Sequence, residues 1–152
     1  MKNSRTIFVA VFMLTAMALT AQIRDMTWGE TQDAVVAKEG ADYKIRDALY
    51  VFYTRPMGGK DRTLVYSFDA DERLVTISWL IDPDEFNDYC KVLTGKYGEH
   101  NSVDVGTMSW LLDSTLVSLY TDYKTKAYIT YANVDYVNKL KEEHLKGKEK
   151  GL

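Results

Sequence analysis

The hydrophobic positions of this chain change period several times, and each change predicts a new element. Residues 32–39 carry a short helical pattern. Thr31 can cap it by accepting from first-turn amides, Asp33 sits near the positive end of the helix dipole, and Gly40 supplies the stop. Thr27 with Glu30 forms a competing capping box one turn earlier. Residues 48–54 are rich in β-formers and run into a turn signal at Pro56-Met57-Gly58-Gly59. Residues 63–68 and 73–81 predict a hairpin around Asp69-Ala70-Asp71-Glu72. Pairing Phe68 with Arg73 would put Leu64, Tyr66, Val75, Ile77 and Trp79 on one face and Ser67, Thr76 and Ser78 on the other.

Asp82-Pro83-Asp84-Glu85 marks a helix start, with Asp82 as cap, Pro83 at the first helical position and Glu85 closing a box. Phe86, Tyr89, Cys90, Leu93 and Tyr97 then recur at helical spacing as a buried stripe, and Gly98 ends the helix. Residues 107–112, 115–120 and 126–132 read as three more strands. A last helix is expected over 135–146, with Val137, Leu140 and Leu145 on one side, followed by a frayed charged tail at 147–152.

The order is helix, three strands, helix, three strands, helix. That is an α+β pattern: a mostly antiparallel sheet with helices on one face, forming a single domain over 22–146. It admits two tandem α-β-β-β units, 27–81 and 82–134. Each opening helix ends in glycine, at Lys38-Glu39-Gly40 and Lys96-Tyr97-Gly98, and each unit has a Thr-Leu-Val strand start, at Thr63 and Thr115.

Ahead of this domain, Lys2 and Arg5 precede an apolar run of thirteen residues from Ile7 to Leu19, and Ala21 fits a cleavage position. The run is shorter than the ~20 residues needed to span a bilayer as a helix. The expectation is a signal peptide over 1–21, no membrane span after cleavage, and a periplasmic or secreted product. No cysteine follows the apolar run, as a lipoprotein anchor would require. Cleavage removes two cations and no acid, taking the formal charge from −3 to −5, which gives no electrostatic case for nucleic acid. The single cysteine, Cys90, excludes an intramolecular disulfide framework and a cysteine-based zinc site.

Candidate chemistry is sparse. His100 follows Gly98-Glu99 with no nucleophile motif near it, and His144 lies in a lysine- and glutamate-rich helix. Cys90 sits on an apolar stripe, away from a helix start, as an inert hydrophobe does. Asp69, Asp71 and Glu72 resemble half of a calcium loop but lack its full spacing, and aspartate is a common turn former. Gly58-Gly59-Lys60 lacks the spacing of a phosphate loop. No catalytic residue, metal site or cofactor is assigned. Eleven tyrosines are the unusual feature. Tyr66, Tyr89, Tyr97 and Tyr131 fall on faces expected to be buried. Thr76, Ser78, Leu116, Ser118, Tyr128 and Thr130 are expected to face outward on the sheet. A tyrosine, serine and threonine face suits recognition, because tyrosine offers rigid amphipathic area.

Trp28-Gly29-x-Thr31-x-x-x-Val35, opening a short helix that ends in glycine, resembles a motif of small bacterial envelope proteins. The SmpA/OmlA outer-membrane lipoproteins and the β-lactamase-inhibitor-protein-like folds share this style, the latter also built from tandem helix-plus-sheet units. The chain is similar, too, to secreted proteins with Trp-Gly-x-Ser/Thr near the N-terminus and Lys-Tyr-Gly, here Lys96-Tyr97-Gly98, mid-chain. The resemblance covers some 20 residues by motif and implies a non-enzymatic envelope module. The chain departs from it in lacking a lipobox cysteine and a proline after Gly40.

These readings combine into an exported, non-enzymatic binding module whose partner is a protein or envelope component. Two alternatives stand beside it: a small secreted hydrolase using His100 with a carboxylate, and a secreted inhibitor or structural domain.

Overall fold

Four antiparallel strands follow each of the first two helices. The computed structural model describes residues 23–104, 106–122 and 125–149; the expected signal peptide lies outside the described residues. Helix α1 (Gln32–Glu39) leads to β1 (Ile45–Arg46), β2 (Tyr50–Met57), β3 (Lys60–Phe68) and β4 (Leu74–Ile81). A single 3₁₀ turn, Pro83–Glu85, opens into α2 (Phe86–Tyr97). Then come β5 (Ser102–Asp104), β6 (Thr107–Leu112), β7 (Thr115–Thr121), β8 (Ala127–Asn133) and α3 (Val134–Glu149). The strands form one sheet in the order β1-β2-β3-β4-β8-β7-β6-β5. The order runs outward in the same way on both sides of the β4–β8 junction. The architecture is α+β, as the pattern predicts.

Local chemistry accounts for most boundaries. Thr31 Oγ1 accepts from the Ala34 amide at 3.3 Å and starts α1. Thr27 and Glu30, the competing signal, shape the turn before it: the Thr27 amide donates to Glu30 Oε1 at 3.1 Å. Gly40 and Gly98 close their helices with positive φ and amide bonds back to Val36 and Thr94. Gly58 and Gly59, at φ 62° and 77°, form a two-residue turn between β2 and β3. β2 therefore extends through Pro56 and Met57. Pro56 is tolerated because β1 pairs only with Val51 and Phe52 and leaves that edge open.

Four expectations change. Phe68 pairs with Leu74 rather than Arg73, because Val75 is an extra residue at a bulge. The cause is the Asp69 carboxylate, which accepts from the Asp71 and Arg73 amides and draws Arg73 into the turn. Val75 is buried beside Asn133 and Tyr136, away from the main core. The short edge strands β1 and β5 were not expected, and each run has four strands rather than three. Asp82 stands at the helix start, but its side chain makes no capping bond. Its carboxylate and that of Glu85 instead face Lys60 and buried Arg62, with Glu85 Oε2 2.6 Å from Arg62 Nη2. Finally, α3 runs to Glu149, so residues 147–149 are helical rather than frayed. Its expected apolar side is not covered: Val137 is half-buried, but Leu140 and Leu145 are exposed.

The core lies between the sheet and helices α1 and α2. Leu64, Tyr66, Ile77, Trp79, Trp110 and Val117 project from the strands toward Val35 of α1 and Leu93 of α2. The two halves are joined by more than strand pairing, since Trp28 Nε1 donates to buried Thr115 Oγ1 at 2.9 Å. Among the described residues no helix is long and apolar enough to cross a membrane.

Candidate functional site: the open face of the sheet

Because side chains alternate along a strand, burying Leu64, Ile77 and Ile129 under the helices turns their neighbours to the opposite face. That face carries all six residues singled out from the sequence. Thr76 and Ser78 lie on β4, Thr130 and Tyr128 on β8, and Leu116 and Ser118 on β7, three adjacent strands. The register sets them in lateral rows. The central row runs Phe52–Val65–Ser78–Thr130–Ser118–Ser109 across six strands. A second runs Tyr50–Ser67–Thr76–Ala132–Leu116–Leu111. A third contains Leu80, Tyr128, Tyr120 and Thr107.

The central hydroxyls bond one another. Ser78 Oγ and Thr130 Oγ1 are 2.9 Å apart across the β4–β8 junction, and Ser109 Oγ and Ser118 Oγ are 3.3 Å apart. Each bonded pair uses one O–H and leaves the other O–H and further lone pairs available. Tyr120 and Tyr128 stack with centroids 5.0 Å apart and planes at 18°, and Tyr50 and Phe52 sit 6.1 Å apart on the other flank. No residue in these rows carries a formal charge. Tyr50, Phe52, Ser109 and Tyr120 belong to the face without having been singled out. Their signal was present as alternation: each stands two residues from another member of the face on its own strand.

The other candidates have structural surroundings. The Cys90 thiol, half-buried, donates to Met108 Sδ. The His100 ring lies edge-on to Trp110, centroids 6.3 Å apart, and His144 is exposed on α3. Gly29 and Thr31 of the Trp28-Gly29-x-Thr31 motif hold the chain to the β3–β4 turn, the Gly29 amide donating to Leu74 O at 3.0 Å and Thr31 bridging Arg73.

A strongly ionic cluster lies on the helix side, and sequence reasoning missed it. The Glu39 side chain, only 4% exposed, accepts two bonds from Arg24, at 2.6 and 3.0 Å, one from Arg55 at 3.2 Å, and the Tyr66 hydroxyl. Arg55 also grips Asp42 through two bonds of 2.8 and 2.9 Å and lies over the Tyr53 ring. Burial by itself would raise the Glu39 pKa. The hydrogen bonds from Arg24 and Tyr66, with the attraction of Arg24, overcome it and hold the carboxyl below its usual range. Burial and the Glu39 carboxylate push the Tyr66 phenol well up. The groove here is lined by Arg24, Asp25, Lys38, Glu39, Asp42 and Arg55. Its cations all donate to neighbouring protein groups, which makes it a joint between the N-terminal arm, α1 and β2.

No family model, curated protein or solved structure matches this chain. The functional reading therefore rests on the open face itself.

Proposed function

We propose that this protein is an exported, non-enzymatic interaction module of the bacterial envelope that works through the open face of its sheet. One observation carries the reading: uncharged hydroxyl, aromatic and aliphatic side chains form continuous rows across six strands, on the face turned away from the core under α1 and α2. Serines and threonines supply donors and acceptors, while Tyr120 and Tyr128 supply rigid area at little entropic cost. Thr76, Ser78, Leu116, Ser118, Tyr128 and Thr130 lie on three adjacent strands of that surface. The partner is a protein or envelope component, and no cofactor is needed. The strand order, symmetric about the β4–β8 junction, supports reading the domain as two tandem helix-plus-sheet units. That is also the style of the β-lactamase-inhibitor-protein-like folds.

The test places a photo-crosslinking side chain at Ser118 on the open face or at Val92, an exposed position on α2, in protein expressed from its full sequence. Adducts should form from position 118 and not from 92, and the pair Tyr128→Ala with Thr130→Ala should abolish them. Equal adducts from both positions, or adducts indifferent to the double variant, would overturn the site. N-terminal sequencing of the product should begin at Gln22. A product that begins at Met1 would remove the export part of the proposal.

A further inference from the structure

We infer that the partner on the open face is a second copy of this chain, packed face to face about a two-fold axis through the β4–β8 junction. This rests on the reading of that face as an interaction surface and names its occupant. Charge favours a second copy. About a two-fold axis, a residue near the centre meets its own copy, so any ionised side chain there would meet a like charge. The rows contain none, in a chain that is 27% charged. A foreign surface with ordinary surface charge would find no counter-ion here and would leave its charges buried and unpaired.

The pattern of side chains favours it too. One flank of the face is apolar and aromatic through Ile45, Tyr50 and Phe52, with Ile45 55% exposed. The other flank is apolar and aromatic through Leu111, Leu116 and Tyr120, with Leu111 equally exposed. The centre is hydroxyl: Thr76, Ser78, Thr130 and Ser118. A two-fold axis lying along the strands sets each flank against the opposite one. An axis lying across the strands sets each flank against itself. Both put apolar on apolar and hydroxyl on hydroxyl. Hydroxyls are suited to meeting their own kind, since each is donor and acceptor at once, whereas carboxylates and ammonium groups are not.

The face is also large enough for a second copy. Six strands about 4.8 Å apart, each contributing about five residues at ~3.4 Å, give a flat footprint of about 500 Å². Side-chain relief raises the contact surface toward the ~800 Å² per partner of a standard stable interface.

Sedimentation velocity on protein expressed from the full sequence, as the cell processes it, tests the inference together with the crosslinker at Ser118. The expected result is a dimer that crosslinks to itself through position 118 and is not weakened by added salt, since no ion pair holds it. Thr130→Lys sets like charges near the axis and should weaken the dimer about a hundredfold or more. Leu111→Lys, at an already exposed position, leaves the fold alone and should weaken it about tenfold or more, so it carries the test if Thr130→Lys does not fold. A monomer at every concentration, or a dimer indifferent to both lysines, overturns the inference. If such a monomer still crosslinks from position 118 to a different protein, the interaction reading stands and only the second copy falls. If it gives no adduct, both fall.

Discussion

Replacing Glu39 with glutamine probes the most concentrated set of charge-assisted contacts in the fold. Glutamine keeps the shape and can still accept from Tyr66, but it removes the negative charge that Arg24 and Arg55 share. Breaking a buried ion pair by neutralising one partner costs about 3–5 kcal/mol when the other charge is left uncompensated. Two features reduce that figure here. Arg24 is 36% exposed and recovers water, and Arg55 keeps both bonds to Asp42. A loss of about 2–3 kcal/mol is therefore expected at neutral pH. The sign with pH follows from the lowered Glu39 pKa. A carboxyl held below its usual value stabilises the fold at every pH above that usual value. The contribution fades as pH falls through the native pKa and the native carboxylate takes up a proton. Wild type and Glu39→Gln should therefore differ fully at neutral pH and converge in acid. The assay is urea unfolding followed by circular dichroism at several pH values, with the slope m checked for constancy. A neutral-pH difference below about 1 kcal/mol would refute the argument. So would a difference that persists unchanged in acid, because the charge would then not be its source.

Three further outcomes follow from single contacts. A Cβ on Gly58 would stand 2.6 Å from Tyr89 Oη at a positive φ, whereas one on Gly59 would meet nothing within 4 Å; denaturation should find Gly58→Ala the costlier, at about 2 kcal/mol against about 1. A double-mutant cycle of Trp28→Phe and Thr115→Val should return a coupling of about 1 kcal/mol, from the bond that ties the N-terminal motif to the second half of the sheet. Arg62→Met leaves the Glu85 carboxylate with only Lys60, and since Glu85 is held below its usual pKa chiefly by Lys60, with Arg62 second among the hydrogen bonds, NMR titration should show that pKa rising only part of the way back.

The start of α1 and the stops of α1 and α2 were legible because they depend on neighbours in sequence: Thr31, Gly40 and Gly98 act within a few residues of themselves. The Asp69 turn was legible too, but not the bulge at Val75 that its side chain imposes. The outward face was legible for the same reason: alternation along a strand says which residues travel together, and Ser78, Thr130 and Ser118 did. Other features failed where a side chain had a distant alternative. Asp82 and Glu85 have the spacing of a capping box, yet Lys60 and Arg62, some twenty residues earlier, offer ionic bonds stronger than a cap. The edge strands β1 and β5 are two and three residues long, too short for any period to register. The stripe on α3 has the right spacing for burial, but no element of the described chain lies over Leu140 and Leu145.

The sequence by itself determined the α+β class, the order of the long elements, the two glycine-closed helices and the polar alternation of the sheet, all consequences of local propensity and period. Only the tertiary structure decided that β4 and β8 pair at the centre, and with that pairing came the lateral rows of hydroxyls. It alone brought Arg24, Glu39, Arg55 and Tyr66 together from four separate segments. The physical reason is that strand order and ionic partnership depend on which surfaces meet once the core is buried. A linear pattern records each surface but not its neighbour.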